Sequence, residues 1–182
     1  MSLYSLVPCH LYAEFLDNVL CALEVAAHYD SNGKNLMQYV ILFFPPRSMR
    51  TFKLRRCYKD RVLMPTISCL HKCVNLEELY LEKADSPAIT TYLLAHIIKF
   101  LNRIRVLALP KQCDDDVASV IGLNCPKLEC VILTGTSVTN GGLSWLMCCR
   151  QLNTLIIPGL FQDVTPKGVA LLLKGLKSLK HV

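Results

Sequence analysis

Chemistry in this chain would have to start from a few polar clusters. Cys69-x-His71-x-Cys73 could offer two thiolates and an imidazole to a metal ion. On a helix, however, His71 points away from the side that carries the two thiols. The remaining histidines, His10, His28, His96 and His181, have no histidine four residues away to complete a helical metal pair. Asp114-Asp115-Asp116 could hold a cation, but acids in a first turn also meet the positive end of a helix dipole, and that reading is adopted. Gly141-Gly142 lacks the lysine and the spacing of a phosphate loop. Ten cysteines contain no Cys-x-x-Cys pair, which argues against zinc ribbons and thioredoxin-type exchange. These residues predict no catalytic centre, no cofactor and no metal, so a non-enzymatic protein is expected.

The elements that could position a binding surface are better defined. At 182 residues, with 52% apolar and 19% charged side chains, the chain can bury a core and does not have the composition of a disordered protein. Its longest apolar run, Tyr39 to Pro46, is far short of the roughly 20 residues that span a bilayer, so no membrane partner is expected. The N-terminus lacks a basic segment before its apolar stretch and carries Glu14, which argues against a signal peptide. A reducing compartment, cytoplasmic or nuclear, with free buried thiols is therefore expected.

The hexad Leu76-x-x-Leu79-x-Leu81 returns as Ile104-x-x-Leu107-x-Leu109, Leu128-x-x-Val131-x-Leu133 and Leu152-x-x-Leu155-x-Ile157. A weaker copy is Met49-x-x-Phe52-x-Leu54, and Leu179-x-x-Val182 begins another. The starts are 24 to 28 residues apart, which is the leucine-rich-repeat period. Alternation within each hexad predicts a half-buried strand, and the intervening residues predict crossover helices. Ser86-Pro87, Asp114, Thr139 and Thr165-Pro166 mark the expected helix starts. Cys73, Cys125 and Cys149 each stand three residues before a hexad, where Leu101 and Leu176 stand in other repeats. A small buried thiol is expected at that helix-to-strand turn. The fold expected is an α/β leucine-rich-repeat solenoid: right-handed βα repeats and a curved parallel sheet over residues 49–182, about five repeats, with a helical N-terminal cap over 1–48.

Asn124-Cys-Pro-Lys-Leu-Glu-Cys-Val-Ile-Leu133, Val138-Thr-Asn-Gly-Gly-Leu143 and Val164-Thr-Pro-Lys-Gly-Val169 resemble the cysteine-containing repeats of F-box substrate receptors and of the antagonist-of-mitotic-exit-network family. Ser86 to Ile89 and Cys113 to Asp116 depart from that motif. The resemblance implies a substrate-recognising subunit or adaptor of a cullin-type ubiquitin ligase. Ser5-Leu6-x-x-Cys9-x-x-x-Ala13 and Phe44-Pro45-Pro46-Arg47-Ser48-Met49 resemble the elongin-binding box of such receptors. That likeness implies contacts to an elongin- or Skp-type adaptor and cullin through Leu6, Cys9, Ala13, Pro46 and Met49, with Met49 to Leu54 then helical. The bland alternative is that residues 1–48 only cap the array.

The outward strand positions are expected to bind a protein partner on the concave face. They are Thr51 and Lys53, Glu78 and Tyr80, Val106 and Ala108, Cys130 and Ile132, and Thr154 and Ile156. The last three pairs form an apolar strip. The alternative is a non-ligase scaffold, or an anion or nucleic-acid binder using residues 47–61. That segment holds seven basic residues and one acid, while the remaining 13 basic and 13 acidic residues cancel. One basic segment on a balanced chain argues against nucleic acid as the main partner. Leu176, Leu179 and Val182 match a repeat that stops short, which predicts a shortened form of a longer array, or a partner chain over that end.

Overall fold

The structure, a computed structural model, describes residues 50–53, 67–68, 70–81, 87, 89–134, 136–157 and 163–181. Among them, five strands alternate with four α-helices and one 3-10 turn. The strands are β1 (Thr51–Lys53), β2 (Glu78–Tyr80), β3 (Val106–Leu109), β4 (Cys130–Leu133) and β5 (Thr154–Ile156). The helices are α1 (Thr91–Ile98), α2 (Asp115–Asn124), α3 (Asn140–Leu146) and α4 (Pro166–Gly175), and the 3-10 turn is Leu70–Lys72. The strands form one open parallel sheet in chain order, so this is an α/β protein.

The hexads set the register. Thr51, Glu78, Val106, Cys130 and Thr154 lie side by side, and Phe52, Leu79, Leu107, Val131 and Leu155 form the next column. That second column is buried, as are Leu76, Ile104, Leu128 and Leu152 at the hexad starts. Each such side chain contributes on the order of 1.5–3 kcal/mol by leaving water. Thr51–Lys53, within the weak hexad, are thereby a strand and not helical. The sixth hexad also begins to pair: His181 bridges Thr154 in parallel fashion.

Two backbone patterns repeat with the hexads. The carbonyls of Arg50, Glu77, Arg105, Glu129 and Asn153 each accept two N–H groups from the following repeat, at its second and third hexad positions. The helix-to-strand turn is the same five times. Leu76, Ile104, Leu128, Leu152 and Leu179 donate their N–H to the carbonyls of Cys73, Leu101, Cys125, Cys149 and Leu176, at 2.9 to 3.2 Å. The side chains of all five acceptor residues are buried. The expected packing role of the cysteine positions is what the structure has.

Helix starts repeat as well. Thr90, Asp114, Thr139 and Thr165 are the capping residues, and each side-chain oxygen accepts an N–H from the first turn. Asp114, Thr139 and Thr165 were expected there; the first helix differs. It is capped by Thr90, not by Ser86, which lies outside the described residues, and Pro87 sits in a turn before it. Ile89 explains the shift, because it is fully buried at the position that Cys113 and Val138 fill in the next repeats. Residues 113–114 and 89–90 thus do the work of the Val-Thr pair, although neither matches it.

Adjacent helices are joined through these caps. The Thr91 hydroxyl donates to Asp114 Oδ2 at 3.0 Å. Thr139 donates its N–H and its hydroxyl to the Asp115 carboxylate at 2.7 and 2.6 Å. Asn140 accepts the Thr165 N–H at 3.0 Å and donates to its hydroxyl at 3.1 Å. In each step the first residue of one helix holds the capping residue of the next. The longer Asp115 and Asn140 side chains pass over Gly142 and Gly168, where an added Cβ would collide with their side-chain oxygens. The shorter Thr91 is followed by a step that carries Val117 at the same place. This accounts for the glycine in Val138-Thr-Asn-Gly-Gly and Val164-Thr-Pro-Lys-Gly.

Candidate interaction face

One face of the sheet packs on the helices and the other is open. On the open face Glu78, Tyr80, Val106, Cys130, Ile132 and Thr154 are half-buried, and Ile156 is 42% exposed. The strand register brings Tyr80, Ala108, Ile132 and Ile156 into one line, and Glu78, Val106, Cys130, Thr154 and His181 into the line beside it. Lys53 lies in β1 opposite Tyr80.

Ala108 corrects the expectation. It occupies an outward register position but is 0% exposed, so it offers a partner no surface. It is the smallest residue of its line and stands between Tyr80 and Ile132, whose larger side chains leave its single methyl no access to water. Cys130 is shielded less completely, and partial burial pushes its thiol pKa up.

The second hexad position, which pattern reading passed over, forms the rim. It reads Arg50, Glu77, Arg105, Glu129, Asn153 and Lys180. Arg50 pairs with Glu77. Arg105 donates to both Glu129 carboxylate oxygens, at 2.9 and 3.0 Å. The hydrogen bond and charge of Glu129 raise the Arg105 pKa further, with smaller help from Glu77 and Glu78. Reading this position down the hexads would have revealed the alternation of sign. It also answers for part of the basic segment: Arg50 is engaged by Glu77. Arg47, Arg55, Arg56, Lys59 and Arg61 lie outside the described residues, as do the adaptor-box residues Leu6, Cys9, Ala13, Pro46 and Met49.

The other candidate chemistry resolves into packing. His71, in the 3-10 turn, has Nδ1 2.5 Å from the Ser68 carbonyl oxygen, and its ring sits 5.5 Å from that of His96 and 5.8 Å from that of Phe100. Tyr92 and His96 lie on α1 and Phe100 in the turn after it, each ring beside the next. Cys73 is buried in the core, away from this surface ring cluster. Asp114 caps α2 and Asp115 holds the capping residue of α3, as the preceding bonds show. Among the described residues, no three of His, Cys, Asp and Glu are grouped to hold a metal ion. The six described cysteines are free thiols. No described helix is long and apolar enough to cross a membrane.

No protein-family model matches the chain, and no curated protein matches it. Among solved structures, leiomodin-1 actin-binding site 2 is similar, with a TM-score of 0.50 at 19% identity over 65% of this chain and 74% of that one. A likeness at that identity concerns the fold alone: an α/β chain built on a parallel sheet with helices on one side.

Proposed function

We propose that the chain is a leucine-rich-repeat solenoid and serves as a protein-interaction module, with the open sheet face as its binding surface. The observation that carries this reading is the strip formed by Val106, Cys130, Ile132 and Ile156. These residues are apolar and solvent-facing, on a sheet whose opposite side already has a full core. Contiguous apolar surface of this kind marks interaction sites in soluble proteins. Four of the rim charges beside it, Arg50, Glu77, Arg105 and Glu129, are paired with one another, which makes the apolar strip the main feature that a partner would recognise.

The wider role is substrate recognition within a cullin-type ubiquitin ligase, with the N-terminal segment contacting an elongin- or Skp-type adaptor. Its support is the resemblance of the 124–133, 138–143 and 164–169 motifs to ligase receptors. Titrating the purified chain with elongin and with a Skp-type adaptor tests it. Measurable binding to one of them, lost on changing Leu6 and Cys9 to Ser, is expected; no binding to either would leave a scaffold role without ligase recruitment.

For the face itself, Ile132→Asp with Ile156→Asp should abolish partner binding and lower stability by no more than about 2 kcal/mol, since both side chains stand on the solvent side of their strands. Circular dichroism and denaturant titration report the fold, and binding to an adaptor-bound substrate reports the face. Unfolding of the variant would show that these side chains belong to the core.

A further inference from the structure

The geometry points to the kind of partner: we propose that the open face takes an amphipathic α-helix lying across the strands, its N-terminal end over β2. This rests on the open face being a binding surface and adds what binds there.

Spacing selects the helix. The sheet repeats every 4.7–4.9 Å from strand to strand, so four steps from Glu78 to His181 cover about 19 Å. A helix laid across them presents two apolar anchors per seven residues, about 5.2 Å apart on average at 1.5 Å rise per residue. Over four steps its anchors drift from the side-chain lines by about 2 Å. An extended peptide places same-face side chains about 6.6 Å apart and drifts by about 7 Å over the same span. A helix of about 13 residues therefore keeps step with Tyr80, Ile132 and Ile156 in one line and with Val106 and Cys130 in the other.

Charge selects the direction. Glu78 stands at the β2 end of the strip, where its carboxylate accepts the Thr51 hydroxyl at 3.3 Å. Exposed Lys180 and His181 stand at the other end. A helix with its positive N-terminal end over Glu78 and its negative C-terminal end over Lys180 matches both.

The test is selection from two peptide libraries of 14 residues displayed on phage, one built on a helix-forming scaffold and one on an extended, β-branched scaffold, against the immobilised full-length chain. The expected result is binders with apolar residues at i, i+3 or i+4, i+7 and i+11, helical when bound. They should bind at least tenfold more weakly to Ile132→Asp with Ile156→Asp, and several-fold more weakly to Glu78→Lys. Should the double variant misfold, Ile156→Arg alone, at the most exposed site of the strip, gives the same readout. Extended binders that are sensitive to the Ile variants overturn the helix and leave the binding face standing. Binders indifferent to those variants, or no binders from either library, overturn both. Helical binders indifferent to Glu78→Lys overturn the direction.

Discussion

The helix starts and the open sheet face share one period but use it differently. At the helix starts each of the four repeats carries a short capping side chain, and the first three also carry a buried residue before it and a bond to the next cap. On the open face residue types mostly change from strand to strand: Ile132 and Ile156 share a type in one line, Thr51 and Thr154 in the other, and between them acid, aromatic, aliphatic and thiol follow one another. Packing between repeats constrains the first set, because each cap must satisfy N–H groups of its own helix and receive a neighbour's side chain. The sheet backbone satisfies itself, so the second set is free of that demand. Within a repeating chain, sameness marks what holds units together, and variety marks surface left for recognition.

That contrast can be broken most forcefully at Gly142. Gly142→Val should destabilise the protein by about 3 kcal/mol, because its Cβ would meet the Asp115 carboxylate and lie 2.7 Å from Val138 Cγ1. Adding Asp115→Thr copies the step in which Thr91 precedes Val117. The double variant should recover a substantial part of that loss in urea denaturation. A double variant no more stable than the single would show that the glycine is needed for another reason.

The buried turn thiols allow a second comparison. Burial pushes the Cys149 thiol from 9.0 up to about 12, and it pushes Cys113 and Cys125 up as well. A folded pKa above the unfolded one means that the neutral thiol's contribution is complete below about pH 9 and is lost as pH rises towards 12. Urea midpoints should therefore be flat across these thiols' range up to about pH 8.5 and fall between pH 9 and 12. Cys149→Ala should flatten the fall. An equal fall without Cys149 would place the titration elsewhere.

The smallest effect is expected at the rim. Arg105→Ala removes a solvent-exposed pair with Glu129, and exposed pairs contribute little to stability. Its melting temperature should stay within error of the parent. A drop of several degrees would give the rim the structural weight assigned here to the helix starts.

The strands and the cysteine turns were legible in the sequence because both depend on residues close together in the chain. Leu76, Leu79 and Leu81 lie within six positions, and Cys73 lies three before them. The caps at Asp114, Thr139 and Thr165 were legible for the same reason. The start of α1 was not, because Ser86-Pro87 is the stronger local signal and only the burial of Ile89 moves the cap to Thr90. Alternation places Ala108 on the surface side of its strand, while its exposure depends on Tyr80 and Ile132 in neighbouring strands. The links from Asp115 to Thr139 and from Asn140 to Thr165 join residues 24 and 25 apart. They become readable only once neighbouring helices are known.

The doubly used carbonyls of Arg50, Glu77, Arg105, Glu129 and Asn153 have a consequence for how the molecule opens. Two amides of one repeat hang on one oxygen of the repeat before it. When that oxygen is released, both amides become available to solvent deuterium at once, while amides two repeats away keep their own acceptors. Exchange should then proceed in steps of one repeat, as paired losses of protection, and the array should breathe one unit at a time.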